Sequence, residues 1–167
     1  MNKGASKRFK LHRCSKHNEL LRAKLALDAS REGVWDWNLE TDENWVSENW
    51  ANMIGYTADE VMHTYDFFTQ HIHPEDMERM IRVRERYLKG QLPEYHTVFR
   101  MVAKDGQEKW ILSRGRVVKW DETGKPTRMV GTHQDITRQK KAEDALKRHK
   151  GVLESFFTYS PDAMAHL

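Results

Sequence analysis

Hydrophobic and polar positions change period several times along this chain, and the changes divide it into elements. Leu20, Leu21, Leu25 and Leu27 recur at the steps of one helix face. They predict an amphipathic helix over 16–31, ended where Gly33 can take a positive φ. Val34-Trp35-Asp36-Trp37-Asn38-Leu39 alternates with period two, so Trp35, Trp37 and Leu39 share one face of a strand. A turn at Asp42-Glu43-Asn44 leads into a short antiparallel partner, Trp45-Val46-Ser47. Small helices follow. Gly55-Tyr56 closes one, and Thr57-Ala58-Asp59-Glu60 opens another as a capping box, in which Glu60 reaches back to the Thr57 N–H.

Pro74 begins a longer helix that runs to about Leu88. Met77, Met80, Ile81, Val83 and Tyr87 form an apolar stripe among Glu78, Arg79, Arg82, Arg84, Glu85 and Arg86, so this helix should lie across the sheet. Three strands are predicted next, Tyr95–Val102, Glu108–Lys119 and Thr127–Gln134. Hairpin signals at Asp105-Gly106 and Asp121-Glu122-Thr123-Gly124 join them. Two strands, then helices, then three strands define the α+β class: a five-stranded antiparallel sheet with helices packed on one face, flanked by N-terminal and C-terminal helices. From Arg138, Ala142, Leu146, His149, Leu153 and Phe156 alternate by four and three residues, the seam of a coiled coil over 138–158. That rod is short and carries His149 on its contact line. Pairing into a homodimer is therefore expected to use the N-terminal helix as well.

Composition narrows the class. The 167 residues hold one ordinary domain plus connecting helix. Six Trp and 38% hydrophobic residues suffice for a core, while 32% charged residues and a mean hydropathy of -0.85 require long exposed faces. No run approaches the ~20 apolar residues of a membrane span, and no signal-peptide core opens the chain, so no transmembrane segment and a cytoplasmic location are expected. A single Cys14 excludes an internal disulfide and a cysteine-rich zinc site. Eight of the 28 Lys and Arg fall in residues 1–24 against Glu19 alone, which predicts a basic flexible tail over 1–15 ahead of a mildly acidic remainder. The tail lacks the regular aromatic interleaving of nucleic-acid binders, so no nucleic-acid partner is expected. Phosphate loops, His-Glu-x-x-His pairs and nucleophile elbows do not occur. The carboxylate pairs Asp59-Glu60 and Glu75-Asp76 sit at helix starts, where they offset the dipole. No catalytic residue and no metal site are expected.

Five groups of residues together carry a resemblance: Gly33-Val34-Trp35-Asp36-Trp37; Asn49-Trp50-Ala51 with Gly55-Tyr56; His73-Pro74-Glu75-Asp76; Phe99-Arg100 with Lys104-Asp105-Gly106 and Trp110; and Gly131 through Asp135-Ile136-Thr137. In this order and spacing they resemble the PAS sensor domain, in particular the subgroup with a Trp-rich first strand, over residues 32–137. The resemblance implies sensing rather than catalysis, a small cavity between sheet and helices, and an Asp-Ile-Thr end that joins an output helix. Family members hold haem, flavin, small metabolites or nothing, so the ligand does not transfer with the fold.

Cavity candidates are Trp35, Trp37, Met53, Phe67, Phe68, Met80, Val83, Trp110 and Leu112, although the same side chains could simply fill the core. His133 should face inward by parity with Gly131, at a position resembling that from which flavin-binding relatives direct a Gln. A single bulge would turn it outward. Haem would need an axial His, for which His71, His73 and His63 are poor candidates. A flavin adduct would need a buried Cys in the helical region, and the chain has only Cys14. Haem and flavin are therefore not expected; a small apolar or metabolite ligand, or none, is. Asp135, Ile136 and Thr137 are the candidate signal relay, with Thr137 capping the following helix and Asp135 pairing with Arg100 or Arg138. Residues 159–167, with Ser160-Pro161-Asp162, resemble the start of a second, truncated PAS-like domain. A downstream effector, a histidine kinase or a diguanylate cyclase or phosphodiesterase, is expected beyond it. The function expected is a sensory and dimerisation module that signals through the 138–158 helix; the alternative is a ligand-free interaction scaffold.

Overall fold

A computed structural model describes the backbone of residues 3–158 and the side chains of 17–155. The truncated second domain expected at 159–167 and the side chain of Phe156 lie outside the described residues. The elements in chain order are α1 (Lys3–Ser30), β1 (Gly33–Asn38), β2 (Asn44–Val46), α2 (Glu48–Met53), a 3-10 turn (Ala58–Glu60), α3 (Tyr65–Gln70), α4 (Pro74–Leu88), β3 (Tyr95–Val102), β4 (Glu108–Trp120), β5 (Pro126–Asp135) and α5 (Thr137–Thr158). The strands form one antiparallel sheet in the order β2-β1-β5-β4-β3. This is the α+β layer expected from the pattern. Because β1 and β5 are neighbours, with Gly33 opposite His133, the end of α1 and the start of α5 meet at one end of the sheet.

Two boundaries differ from expectation. Helix α1 starts at Lys3, so the segment read as a flexible tail is helical from residue 3; no proline, and after Gly4 no glycine, interrupts it. Its leucines Leu20, Leu21, Leu25 and Leu27 all remain exposed. The positive φ that stops α1 falls on Arg31 (φ 56), not on Gly33. Gly33 instead opens β1, and a Cβ there would lie 2.6 Å from the Trp50 Cα, so its missing side chain is what lets α2 back onto the strand.

The inner face of the sheet carries the core. Phe99 of β3 stands opposite Ile111 of β4, and both are fully buried, as are Trp50, Ile54, Met80, Met101 and Met129 to within a percent or so. Side chains of this size stabilise by about 1.5–3 kcal/mol each when buried. Parity then decides β4. Ile111, Ser113 and Val117 point inward, whereas Trp110 and Leu112, expected in the cavity, lie on the outer face. The run Trp110-Ile111-Leu112 is apolar throughout and hides its own period; pairing with Phe99 settles it.

Trp35 lies across two glycines. Gly131 is its pairing partner on β5, and Gly115 pairs with Gly131 from β4. A Cβ on Gly131 would meet the Arg114 carbonyl oxygen at 2.0 Å and Trp35 Cζ2 at 2.4 Å, and one on Gly115 would meet Trp35 Cη2 at 2.5 Å. The indole can therefore lie flat on the sheet only because these two positions are bare.

Candidate functional site

Between that indole and α3 and α4 lies a cavity of about 30 Å³, room for roughly two waters. Trp35, Trp37, Asn44, Tyr65, Phe68, Met80, Arg84, Tyr95, Ser113, Met129 and His133 line it. All but Tyr65 and Arg84 are buried, so these two mark its mouth.

His133 occupies the inner wall. It is 3% exposed and ringed by Trp35, Trp50, Phe68 and Phe99, with ring centroids 5.5 to 6.2 Å away. The Trp50 indole N–H donates to His133 Nδ1 over 2.8 Å. An indole nitrogen can only donate, so Nδ1 is the accepting nitrogen and the ring proton resides on Nε2. Burial pushes the imidazole down to about 3, which keeps it neutral.

Arg84 is the unusual member. Its guanidinium lies 5.4 Å from the Trp37 ring centroid and 5.3 Å from that of Tyr65, two rings that stack on each other at 4.2 Å, and its Nη1 donates to the Tyr65 hydroxyl. Burial raises the Tyr65 phenol above its ordinary range, against the pull of Arg84, and burial pushes Tyr95 up to about 12; both phenols are protonated at neutral pH. Around the same cavity, four buried polar atoms have no partner at hydrogen-bond geometry: Trp35 Nε1, Asn44 Oδ1, Arg84 Nε and Ser113 Oγ, the last of which still faces the Tyr95 phenol. Buried polar groups are paired in the great majority of cases, so four orphans around one small void mark a place built for something polar.

Of the residues singled out in the sequence, Trp35, Trp37, Phe68, Met80 and His133 line the cavity. The others do not. Phe67 turns away on α3 to pack against Tyr56 and His71, and Met53 lies half-buried beside surface depressions near the α5 root. Val83 packs half-buried against the core without reaching the void. Trp110 and Leu112 are on the opposite face, where Trp110 lies under Arg100 (5.5 Å) and Lys140 (5.9 Å). Asn44, Tyr65, Arg84, Tyr95, Ser113 and Met129 were missed. Arg84 had a legible signal: it sits four residues after Met80 in the apolar stripe of α4, where a charge needs a reason.

The histidines considered for haem do not fit an axial role. His71 is held at both nitrogens, by the Phe67 carbonyl (2.7 Å) and the Tyr56 hydroxyl (2.9 Å). His73 caps α4 through Glu75 N–H and faces Glu108 at 3.3 Å, and His63 Nδ1 accepts from Val46 N–H. None lines the cavity. A flavin ring system is far larger than the 30 Å³ available. Among the described residues no three His, Cys, Asp or Glu side chains converge on a metal-sized site.

Two residues beyond His133 the chain reaches the root of α5, where the expected relay is bonded differently than anticipated. Ile136 N–H donates to the Trp110 carbonyl (2.8 Å), and the Trp110 N–H donates to Thr137 Oγ1 (2.9 Å), so Thr137 staples α5 to β4 rather than capping its own helix. The cap is Asp135, whose Oδ1 accepts from Thr137 N–H (2.8 Å) and whose Oδ2 lies 3.5 Å from Lys109, not from Arg100 or Arg138. Arg100 serves α4: its Nε and backbone N–H both donate to Asp76 Oδ2. Burial raises the Asp76 carboxyl, but the Arg100 bonds outweigh it and hold it down at about 2. Beyond Lys140 the helix leaves the sheet, with Leu146, Val152 and Leu153 exposed.

The order and pairing of strands, the glycine-backed Trp35 and the stapled exit helix define a PAS domain. The chain belongs to the PAS fold family, whose pattern matches residues 43–133. It is similar to the sensor protein FixL of Bradyrhizobium diazoefficiens, 28% identical over 132 residues that cover 79% of this chain and 26% of that protein. The chain thus spans about a quarter of the length of this curated relative. A solved sensory box histidine kinase/response regulator from Burkholderia thailandensis is 32% identical with a TM-score of 0.70, covering 80% of this chain and 98% of that one. The N-terminal domain of a diguanylate cyclase with PAS/PAC sensor from Marinobacter aquaeolei (19% identical, TM-score 0.57, 65% and 98% covered) shares the fold alone. No described helix is long and apolar enough to cross a membrane.

Proposed function

We propose that this chain is the sensory and dimerisation module of a larger signalling protein, in which a small ligand in the cavity shifts the set of α5 and so reaches a downstream effector of the histidine kinase or diguanylate cyclase kind. The observation that carries the reading is the layout of β5: His133 walls the cavity, and Asp135 to Thr137, directly after it, root α5 on β4. A ligand biases α5 only through its differential affinity for two settings of that root, and a tenfold bias needs about 1.4 kcal/mol. Two copies pair through the exposed leucines of α1 and the Leu146 and Leu153 positions of α5. The alternative, a ligand-free scaffold, draws its support from those same unpartnered leucines and from the smallness of the void.

Native mass spectrometry of the purified chain separates the two. A dimer that retains a small molecule supports the sensor, and an unloaded, concentration-dependent dimer supports the scaffold. For a sensor, Asp135→Ala leaves the domain folded and uncouples α5 from ligand; global unfolding would mean that Asp135 braces the core instead.

A further inference from the structure

Among the described Lys and Arg side chains that are not fully exposed, Arg100, Lys109 and Lys140 each have a carboxylate within 4.0 Å and Arg84 has none. Arg79 and Arg100 hold Asp76, Arg82 holds Glu78, Lys104 holds Glu60, and Arg128 holds Asp36. Arg84 has no carboxylate within 4.0 Å among the described residues, and no Asp or Glu lines the cavity it borders. The neighbouring Asp42 is engaged by the Trp37 indole N–H at 3.2 Å. That bond leaves the exposed Asp42 charged but not paired with Arg84, so the half-buried guanidinium, in contact with two rings and a protonated phenol, has no direct ion pair, and that deficit is costly away from water.

The orphaned atoms have a bias of the same sign. Trp35 Nε1 and Arg84 Nε can only donate, and Ser113 Oγ can donate. Only Asn44 Oδ1 calls for a donor. Trp35 is 6% exposed and Ser113 1%, so water reaches neither from outside the void. Two ordered waters would satisfy some of these bonds and none of the charge.

Building on the sensory reading above, we infer that the cavity takes a very small carboxylate, formate to acetate in size, with its oxygens facing Arg84 and the Trp35 indole N–H. The carboxylate supplies both the missing acceptor and the missing negative charge, and charge-assisted bonds of this kind are the stronger ones. The cavity volume limits the tail to a hydrogen or a methyl group, and Phe68, Met80 and Met129 provide its apolar wall. The ligand would then touch α4 through Arg84, β1 through Trp35 and β4 through Ser113, the strand on which α5 is stapled.

The test is a titration of the full 167-residue chain, labelled with ¹⁵N, following the Trp35 indole N–H and the α5 backbone amides. The probes are sodium formate, sodium acetate and the neutral isostere acetamide at matched ionic strength. Saturable movement of the Trp35 signal is expected with the carboxylates and at least tenfold weaker binding with acetamide. Arg84→Met should lose tenfold or more in carboxylate affinity with the other indole signals in place. Should Arg84→Met fail to fold, Arg84→Gln, which keeps an N–H donor and removes the charge, answers the same question. Equal binding of acetamide, or undiminished binding by the Arg84 variants, overturns the carboxylate assignment and leaves the sensor standing. Movement of Trp35 with no response in α5 supports the assignment and overturns the relay. No movement with any probe overturns the assignment in favour of the scaffold.

Discussion

Around His133 the sheet buries polar atoms that the protein leaves without partners, whereas at Asp135 to Thr137, on the same strand and its continuation, backbone and side-chain polar groups are taken up by β4 and by the cap. The first region has spare bonding capacity and a void; the second is saturated. Spare capacity is what a ligand needs, because its binding energy comes from groups that were unsatisfied before it arrived. Saturation is what a joint needs, because a helix root with every bond made follows the strand it is bonded to. A few residues of β5 hold both, and Trp35, one wall of the void, lies over the bare Gly131-Gly115 pair.

Breaking the cavity side should cost the most. Trp37 is 8% exposed and stacks on Tyr65, so Trp37→Ala is expected to lose about 3–5 kcal/mol in chemical denaturation. A Trp110→Ala chain that fell as far would erase the distinction between the inner and outer faces. Gly131→Ala comes next, at about 3 kcal/mol, since its Cβ has the Arg114 backbone in its path and cannot be relieved by a rotamer. Thermal melts of Gly131→Ala beside Gly151→Ala, which has open space around it and no positive φ, separate the clash from the change of backbone freedom.

Acid reads the cavity without mutation. His133 stays neutral in the folded chain down to about 3, whereas an unfolded imidazole takes its proton near 6.5, so protons favour the unfolded chain. Stability should be full above pH 6.5 and fall by up to ~1.4 kcal/mol per unit as pH drops toward 3. The depressed Asp76 carboxyl adds a loss of the same sign only below about pH 4. His133→Gln should flatten the slope between pH 6.5 and 5, and a slope that survives the substitution points to another group. The smallest effect belongs to the joint. Thr137→Val removes one acceptor from the Trp110 N–H and should cost about 1 kcal/mol, with faster exchange of that amide as its local signature.

Much of the fold was legible because its signals are local. Alternation placed β1, the Asp-Gly and Thr-Gly turns placed the hairpins of β3 to β5, and Pro74 placed the start of α4. What escaped was decided across the sheet. The apolar run at Trp110 to Leu112 has no period to read, so its inward residue is known only from its partner Phe99. Parity did carry His133 to the inner wall, since the register is regular from Met129 to Asp135; the shifts lie at the far end of the β4–β5 pair, around Val118 and Thr127. Within the site, the aromatic members were readable as inward positions, but the orphaned donors were not, because being unpartnered is a property of the neighbours that a residue lacks. Thr137 misled for a related reason: a hydroxyl at a helix start predicts a cap, and here a cross-strand N–H competes for it and wins.

The account turns on α5 being bonded into the sheet at its root, and amide hydrogen exchange of the intact chain tests that directly. Trp110, Ile136 and Lys140 donate respectively to Thr137 Oγ1, the Trp110 carbonyl and the Ile136 carbonyl. Their amides should exchange as slowly as those of the core strands, with protection falling off along 146–155. Exchange at those three positions as fast as in the distal helix would mean that α5 is hinged free of β4, and no event in the cavity could then be passed along it.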